Sequence, residues 1–223
     1  MGKMFKTITR TWNPFTGCGF NCKYCWAKSL ADGKYKSAYP NGFIPEVHLK
    51  RFSAKFKDGE KIFVTSMGDI SFCPKPELKL LLGIINMYPE TTFLFCTKNP
   101  AIYCQFPELN NAYYGSTIET NRTYPASISK APDVRLRYAI MTALENVKKF
   151  VSIEPIMDFD VDIFSQWIID INPEIVEIGA DNYRHNLPEP TWDKVSAMIE
   201  RIKSKGIQVK QKDGLQRLNE SRT

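Results

Sequence analysis

Cys18, Cys22 and Cys25 lie in the run Cys-Gly-Phe-Asn-Cys-Lys-Tyr-Cys, a C-x3-C-x2-C spacing within eight residues. Thiolates this close in sequence are ligands for a metal centre. A four-iron, four-sulfur cubane normally takes four cysteine thiolates, so three leave one iron open to a ligand that is not protein. Two other readings fit less well. Three is an odd number for disulfides, and the chain reads as cytosolic. A structural zinc site needs a fourth Cys or His at finger-like spacing, and neither His48 nor His185 is so placed.

The elements around this run must bring it to a reaction site. Short apolar stretches alternate with helical patterns, the pattern of an α/β protein with a parallel sheet. The strands are expected at Lys6–Thr11, Lys61–Ser66, Thr92–Thr97, Ala112–Thr117, Phe150–Ile153, Ile175–Gly179 and Ile207–Lys210. One helix opens at Pro76, with Leu78, Leu81, Leu82 and Ile85 on its apolar face. A second starts after Asp160 and a third after Thr191, both read as N-caps, with Gly206 past the third's end. Residues 31–59, holding Gly33, Pro40, Gly42 and Pro45, form an irregular basic excursion. Six strands with crossover helices make a partial (β/α)6 TIM-like barrel, followed by a seventh, C-terminal strand. Barrel enzymes carry their chemistry at the C-terminal strand ends, and the cysteine run follows the first strand directly.

The cysteine run, with Tyr24 just before its last Cys, resembles the signature of radical S-adenosylmethionine (SAM) enzymes. Trp12-Asn13-Pro14, Thr16-Gly17-Cys18, Phe63 to Asp69, Cys96 to Pro100, Val151 to Pro155 and Lys210-Gln211 are similar to a phage-associated branch of that superfamily. The likeness runs from about Trp12 to Gly214. It implies a radical SAM core with a 4Fe-4S cluster on Cys18, Cys22 and Cys25, and SAM on the open iron. It further implies that Ser66, Met67, Gly68 and Asp69 stand where backbone carbonyls meet the SAM ammonium, although the usual Gly-Gly-Glu is altered here. By the same likeness Lys98 meets the SAM carboxylate, Thr117 and Glu119 the ribose, and Gly179 the adenine. The reaction implied is one-electron cleavage of SAM to methionine and a 5'-deoxyadenosyl radical, which takes a hydrogen atom from a substrate. Such an enzyme draws electrons from a flavodoxin- or ferredoxin-like donor.

Strand parity adds candidates without the family. Side chains alternate inward and outward along barrel strands. Cys96 with Lys98, Thr117 with Glu119, Ser152 with Glu154, and Glu177 with Asp181 each share a face. Carboxylates pointing inward are costly unless paired, so Glu119, Glu154, Glu177 and Asp181 are expected at the barrel mouth, with Glu154 a catalytic candidate. Cys73 and Cys96 are candidates for returning a hydrogen atom to a product radical. Cys104 reads as a small hydrophobe.

Composition bounds the rest. The length of 223 residues suits a single domain, 1–223. A hydrophobic content of 43% excludes a disordered chain. No apolar run approaches the ~18 residues that span a bilayer, and Met1-Gly-Lys-Met-Phe-Lys lacks the core of a secretory signal. A cytoplasmic protein is expected. The net charge of +6 is uneven: +3 over 1–22, +5 over 23–61, −7 over 62–200 and +5 over 201–223. Solvated lysines explain part of this, and a surface for a polyanion is the other reading. If DNA or a nucleotide binds at the barrel's open seam, Lys50, Arg51, Lys55, Lys57, Lys210, Lys212 and Arg217 should meet phosphates. Tyr35, Tyr39 and Phe43 would then be available to stack, against core packing as the alternative. Two further function classes remain open at this stage: a radical SAM enzyme for a small metabolite or peptide, and a non-catalytic iron–sulfur electron carrier.

Overall fold

The computed structural model describes residues 5–220. Nearly continuous apolar runs become strands buried on both faces, as parallel sheets require. In chain order the strands are β1 (Arg10–Trp12), β2 (Phe15–Thr16), β3 (Glu46–Val47), β4 (Lys61–Val64), β5 (Thr92–Thr97), β6 (Ala112–Thr117), β7 (Lys148–Ile153), β8 (Ile175–Ile178) and β9 (Gln208–Gln211). The helices are α1 (Trp26–Asp32), α2 (Lys75–Asn86), α3 (Val134–Ala143), α4 (Val161–Ile171), α5 (Trp192–Ser204) and α6 (Arg217–Glu220). Seven strands form one sheet ordered β1-β4-β5-β6-β7-β8-β9, and every pairing in it is parallel. This is the partial TIM-like α/β fold. The pair β2–β3 is antiparallel and gives the excursion after the cysteine run its one regular contact. No helix among the described residues is long and apolar enough to cross a membrane.

The outer face of the sheet packs under the helices. Leu78, Leu81, Leu82 and Ile85 of α2, Phe164 and Ile168 of α4, and Val195, Ile199 and Ile202 of α5 bury their stripes there. The inner face is filled by the chain's own start. Phe5 is fully buried with its ring 4.9 Å from Phe63 and 5.0 Å from Phe150, and Ile8 joins them.

That filling explains the first departure from expectation. The strand expected at Lys6–Thr11 is confined to Arg10–Trp12, because the preceding residues turn inward to Glu177. The Lys6 and Thr7 amides donate to that carboxylate at 2.8 and 2.7 Å, and the Thr7 hydroxyl at 2.5 Å. β4 stops at Val64 because Thr65 takes a left-handed φ of 58°. Helices α1, α3 and α6 lie outside the three read from sequence. Asp160 and Thr191 do stand at N-cap positions, but neither side chain caps its helix. Asp160 instead accepts from Arg122 and Asn121.

Candidate active site

The C-terminal ends of the strands surround an open-mouthed cavity. Its depth is set by Phe5 and Phe63, and its wall carries all three thiols of the cysteine run. The run is held there by backbone. Gly17 forms an isolated parallel bridge to Gly68, its N–H donating to the Met67 carbonyl at 2.8 Å. Gly17 has φ +85°, and a Cβ there would lie 1.9 Å from the Ile44 carbonyl oxygen. Only glycine fits such a position. Asn13 completes the brace: its Oδ1 accepts from the Met67 amide at 2.9 Å and the Ser66 hydroxyl at 3.1 Å.

Each thiol has a hydrogen-bonding neighbour of its own. The Phe20 amide donates to Cys18 Sγ and the Lys28 amide to Cys25 Sγ, both at 3.4 Å, and Ser129 Oγ lies 3.0 Å from Cys22 Sγ. Burial raises the Cys18 and Cys25 thiols above the ordinary range, and the two amides oppose it. Among the described residues no group of three His, Cys, Asp or Glu side chains is placed to hold one metal ion. A cubane makes a different demand, since its thiolates are spread over separate irons. Three sulfurs on one wall, each with a hydrogen-bonding neighbour, suit that group better than a single ion.

Behind the thiols lies a buried ionic network. Glu119 is fully buried and accepts from Lys98 Nζ, from Arg137 Nη1 at 2.8 Å and from the Tyr24 hydroxyl at 2.6 Å. Burial alone would raise its pKa, but Arg137 and Lys98 hold it down at about 2. Arg137 is also fully buried and donates to the carbonyls of Thr117 and Pro132, at 2.7 and 2.9 Å. Lys98 reaches the cavity wall, its ammonium 5.1 Å from the Tyr24 ring centre. Lys98 and Arg137 outnumber Glu119 within this network, while the Asp69 carboxylate on the same wall acts on Cys18 in the opposite sense, adding to the rise of its thiol.

Of the residues singled out from sequence, Tyr24, Ser66, Gly68, Asp69 and Lys98 line the cavity. Cys96, Thr117 and Glu154 line it too. Asp69 has its oxygens engaged by Ser71, by the Thr97 hydroxyl at 2.5 Å and by the Lys98 amide at 2.8 Å. Cys96 Sγ lies 3.6 Å from Thr117 Oγ1, and burial pushes its thiol up to about 12. Glu154 pairs with Lys212, yet burial leaves its carboxyl raised above the ordinary range. Four residues are not on the wall. Cys73 is buried in the outer core beside Glu77. Met67 packs with Ala27, Ala31, Tyr39 and Phe43. Glu119 sits behind Lys98, and the space at Gly179 is filled by the Glu154 carboxylate, 2.6 Å from where a Cβ would be.

The four-carboxylate mouth is half realised. Glu154 and Asp181 line the cavity, whereas Glu119 and Glu177 are wholly buried and satisfied by partners. The expected polyanion contacts change more. Lys55 and Lys57 lie with Arg10, Glu60 and Thr91, at the N-terminal ends of β1, β4 and β5, opposite the cavity. Lys212 is committed to Glu154, Lys210 donates to Thr7 Oγ1 at 2.9 Å, and Arg217 pairs with Glu189. Tyr39 and Phe43 pack in a core cluster, and Phe43 also lines the cavity. Residues 1–4 and 221–223, the ends of the basic segments, lie outside the described residues. Sequence reading missed Asn13, Arg137 and His185 as site residues. Asn13 left a signal in the Trp12-Asn13-Pro14 word and His185 in its spacing of four from Asp181, while Arg137 left none.

No curated protein matches the chain in sequence. Solved structures do match it in fold. A spore photoproduct lyase variant with dinucleoside spore photoproduct superposes with a TM-score of 0.58 at 13% identity, covering 86% of this chain and 60% of its own. A second variant, with bound AdoMet and dinucleoside spore photoproduct, gives 0.56 at 12% identity, covering 84% and 58%. The chain therefore spans about 60% of the length of these structures. The profile described as "Protein of unknown function (DUF5131)" matches residues 5–171, from the lumen-filling segment through α4, and the chain belongs to that family.

Proposed function

We propose that the chain is a single-domain radical SAM enzyme, residues 1–223, whose substrate is a nucleic acid base or a nucleotide. One observation carries the reading: the three thiols of the cysteine run share the wall of a cavity at the C-terminal ends of a half-barrel, with Lys98 of the buried Lys98–Glu119–Arg137 network on the same wall. Cys18, Cys22 and Cys25 would hold the 4Fe-4S cluster. When bound, cluster and SAM would supply the one-electron chemistry that ends in a 5'-deoxyadenosyl radical. The protein's own work is to bind, orient and exclude water. The Gly17–Gly68 bridge fixes the thiol loop against the β4 loop that would meet the SAM ammonium. Lys98 offers a charge to the SAM carboxylate. Cys96, held protonated by burial, lines the wall and would serve as a hydrogen-atom donor, and Glu154, ion-paired with Lys212, would be the catalytic carboxylate. The substrate class is drawn from fold likeness to proteins solved with a dinucleoside photoproduct. The same reading places the chain in a phage-associated branch and in the reducing cytoplasm, with a flavodoxin- or ferredoxin-like donor.

Anaerobic reconstitution tests it. About four irons per chain are expected, falling sharply when Cys18, Cys22 or Cys25 is changed to Ala. With dithionite and SAM, chromatography should show 5'-deoxyadenosine. A full cluster without SAM cleavage would leave an electron carrier. Cleavage with no altered nucleoside by mass spectrometry of exposed DNA and RNA would turn the reading to a small metabolite.

A further inference from the structure

The loop after β8 carries side chains that the reading above does not use. Asp181, Asn182, Tyr183 and His185 all line the cavity. The base of this loop is fixed. The Asp181 amide donates to Glu189 Oε1 at 3.1 Å, and Asn182 Nδ2 donates to the Asp213 carbonyl at 3.0 Å. Gly214 makes room for the Asn182 side chain, since a Cβ there would lie 2.2 Å from Asn182 Oδ1. The tip is different. Tyr183 is 74% exposed, the most exposed large hydrophobic side chain among the described residues. Its ring stands 6.1 Å from that of His185 at 60°.

His185 is oriented from below. Its Nδ1–H donates to Asp181 Oδ1 at 2.5 Å, and its backbone amide to Asp181 Oδ2 at 2.6 Å. A carboxylate can only accept, so this pairing puts the Nδ1 proton on Asp181's side of the ring and leaves Nε2 for a hydrogen bond of its own. Nε2 has no hydrogen-bond partner among the described residues. Arg184, between the two rings in sequence, is exposed and makes no ion pair among the described residues. An aromatic face left in water, an oriented imidazole and a cation, held on a braced loop at a cavity mouth, match what a single nucleotide offers: a π-face, hydrogen-bonding edges and a phosphate.

We propose that Tyr183 and His185 are substrate-reading residues: Tyr183 stacks on an unpaired base at the cavity mouth, and His185, held by Asp181, hydrogen-bonds the same nucleotide through Nε2. The inference rests on the nucleic acid reading and deepens it to a strand whose base has left the stack. A base inside a duplex offers no free face to Tyr183 and no route into the cavity.

Fluorescence anisotropy of a labelled single-stranded oligonucleotide, titrated with the reconstituted enzyme at low salt, tests the proposal. Tyr183→Ala should weaken binding roughly tenfold, within the range of one base–aromatic stack, and Tyr183→Trp should restore it. His185→Ala should weaken it several-fold. An abasic oligonucleotide should bind the wild type no better than the intact strand binds Tyr183→Ala. Wild-type affinity in either alanine variant overturns the proposal while the nucleic acid reading stands. A fall in SAM affinity by equilibrium dialysis, with oligonucleotide binding unchanged, assigns the loop to the cofactor and also overturns it. No binding by the wild-type enzyme sinks both readings together.

Discussion

Glu119→Gln changes one oxygen to an amide nitrogen and little else in shape. It leaves Arg137, fully buried, and Lys98 without a counter-charge. Two arguments size the effect. Removing one partner of a buried ion pair costs about 3–5 kcal/mol. A carboxyl held at about 2 against an ordinary 4.5 contributes about 3 kcal/mol at neutral pH. At about 2–4 °C per kcal/mol for a chain of this size, the melting temperature at pH 7 should fall by roughly 10 °C. The sign with pH follows from the depressed pKa. The contribution is fully present above the unfolded value and is lost as pH falls from about 4.5 to about 2. Wild type should therefore lose more stability over that window than Glu119→Gln, which keeps only the loss due to other carboxylates such as Asp160, so the two curves converge in acid. Replacing Arg137 by Met in the same chain removes the stranded guanidinium and should recover part of the loss. Circular dichroism melts from pH 2 to 7 measure all of this. A Glu119→Gln protein melting within about 2 °C of wild type at pH 7, or showing the same acid profile, would refute the argument.

Three further outcomes are expected. Gly17→Ala forces a Cβ into the Ile44 carbonyl at a left-handed φ; a lower melting temperature and reduced iron after reconstitution should appear together, and normal iron content would separate the loop from the thiols. Phe5→Ala empties a fully buried ring site between Phe63 and Phe150, and urea titration should read a loss of about 3–5 kcal/mol. Lys212→Met removes the counter-charge of Glu154, whose carboxyl already sits above its ordinary range from burial. A raised folded pKa means the proton binds more tightly in the native state, so the variant's deficit should grow as pH rises above the unfolded value and shrink in acid. A deficit independent of pH would mean that Lys212 does not lower the Glu154 pKa, and would refute this argument.

What was legible in the sequence follows the range of the forces involved. The strands at Thr92–Thr97 and Ala112–Thr117 read correctly at both ends, because local apolar content decides a doubly buried strand. β1 was misplaced because a contact some 170 residues away, Thr7 to Glu177, pulls the chain inward. α3 was hidden by Arg137, a charged residue standing in the buried stripe with Val134 and Met141. In the site, parity placed Cys96, Thr117 and Glu154 on the cavity wall. It also put Glu119 and Glu177 there, and only their distant partners show that these two hold the structure together instead.

The segment that fills the lumen bears on the order of assembly. β4 to β9 pair with sequence neighbours, so the sheet can be laid down strand by strand. Residues 5–8 cannot take their place until Glu177 exists to receive them. A chain made from its N-terminus must carry Phe5 unsheltered through most of its synthesis. Contacts of such long separation close late, because loop-closure entropy must be met first. The cavity floor is thus expected to close only after β8 is in place, late relative to the pairing of neighbouring strands.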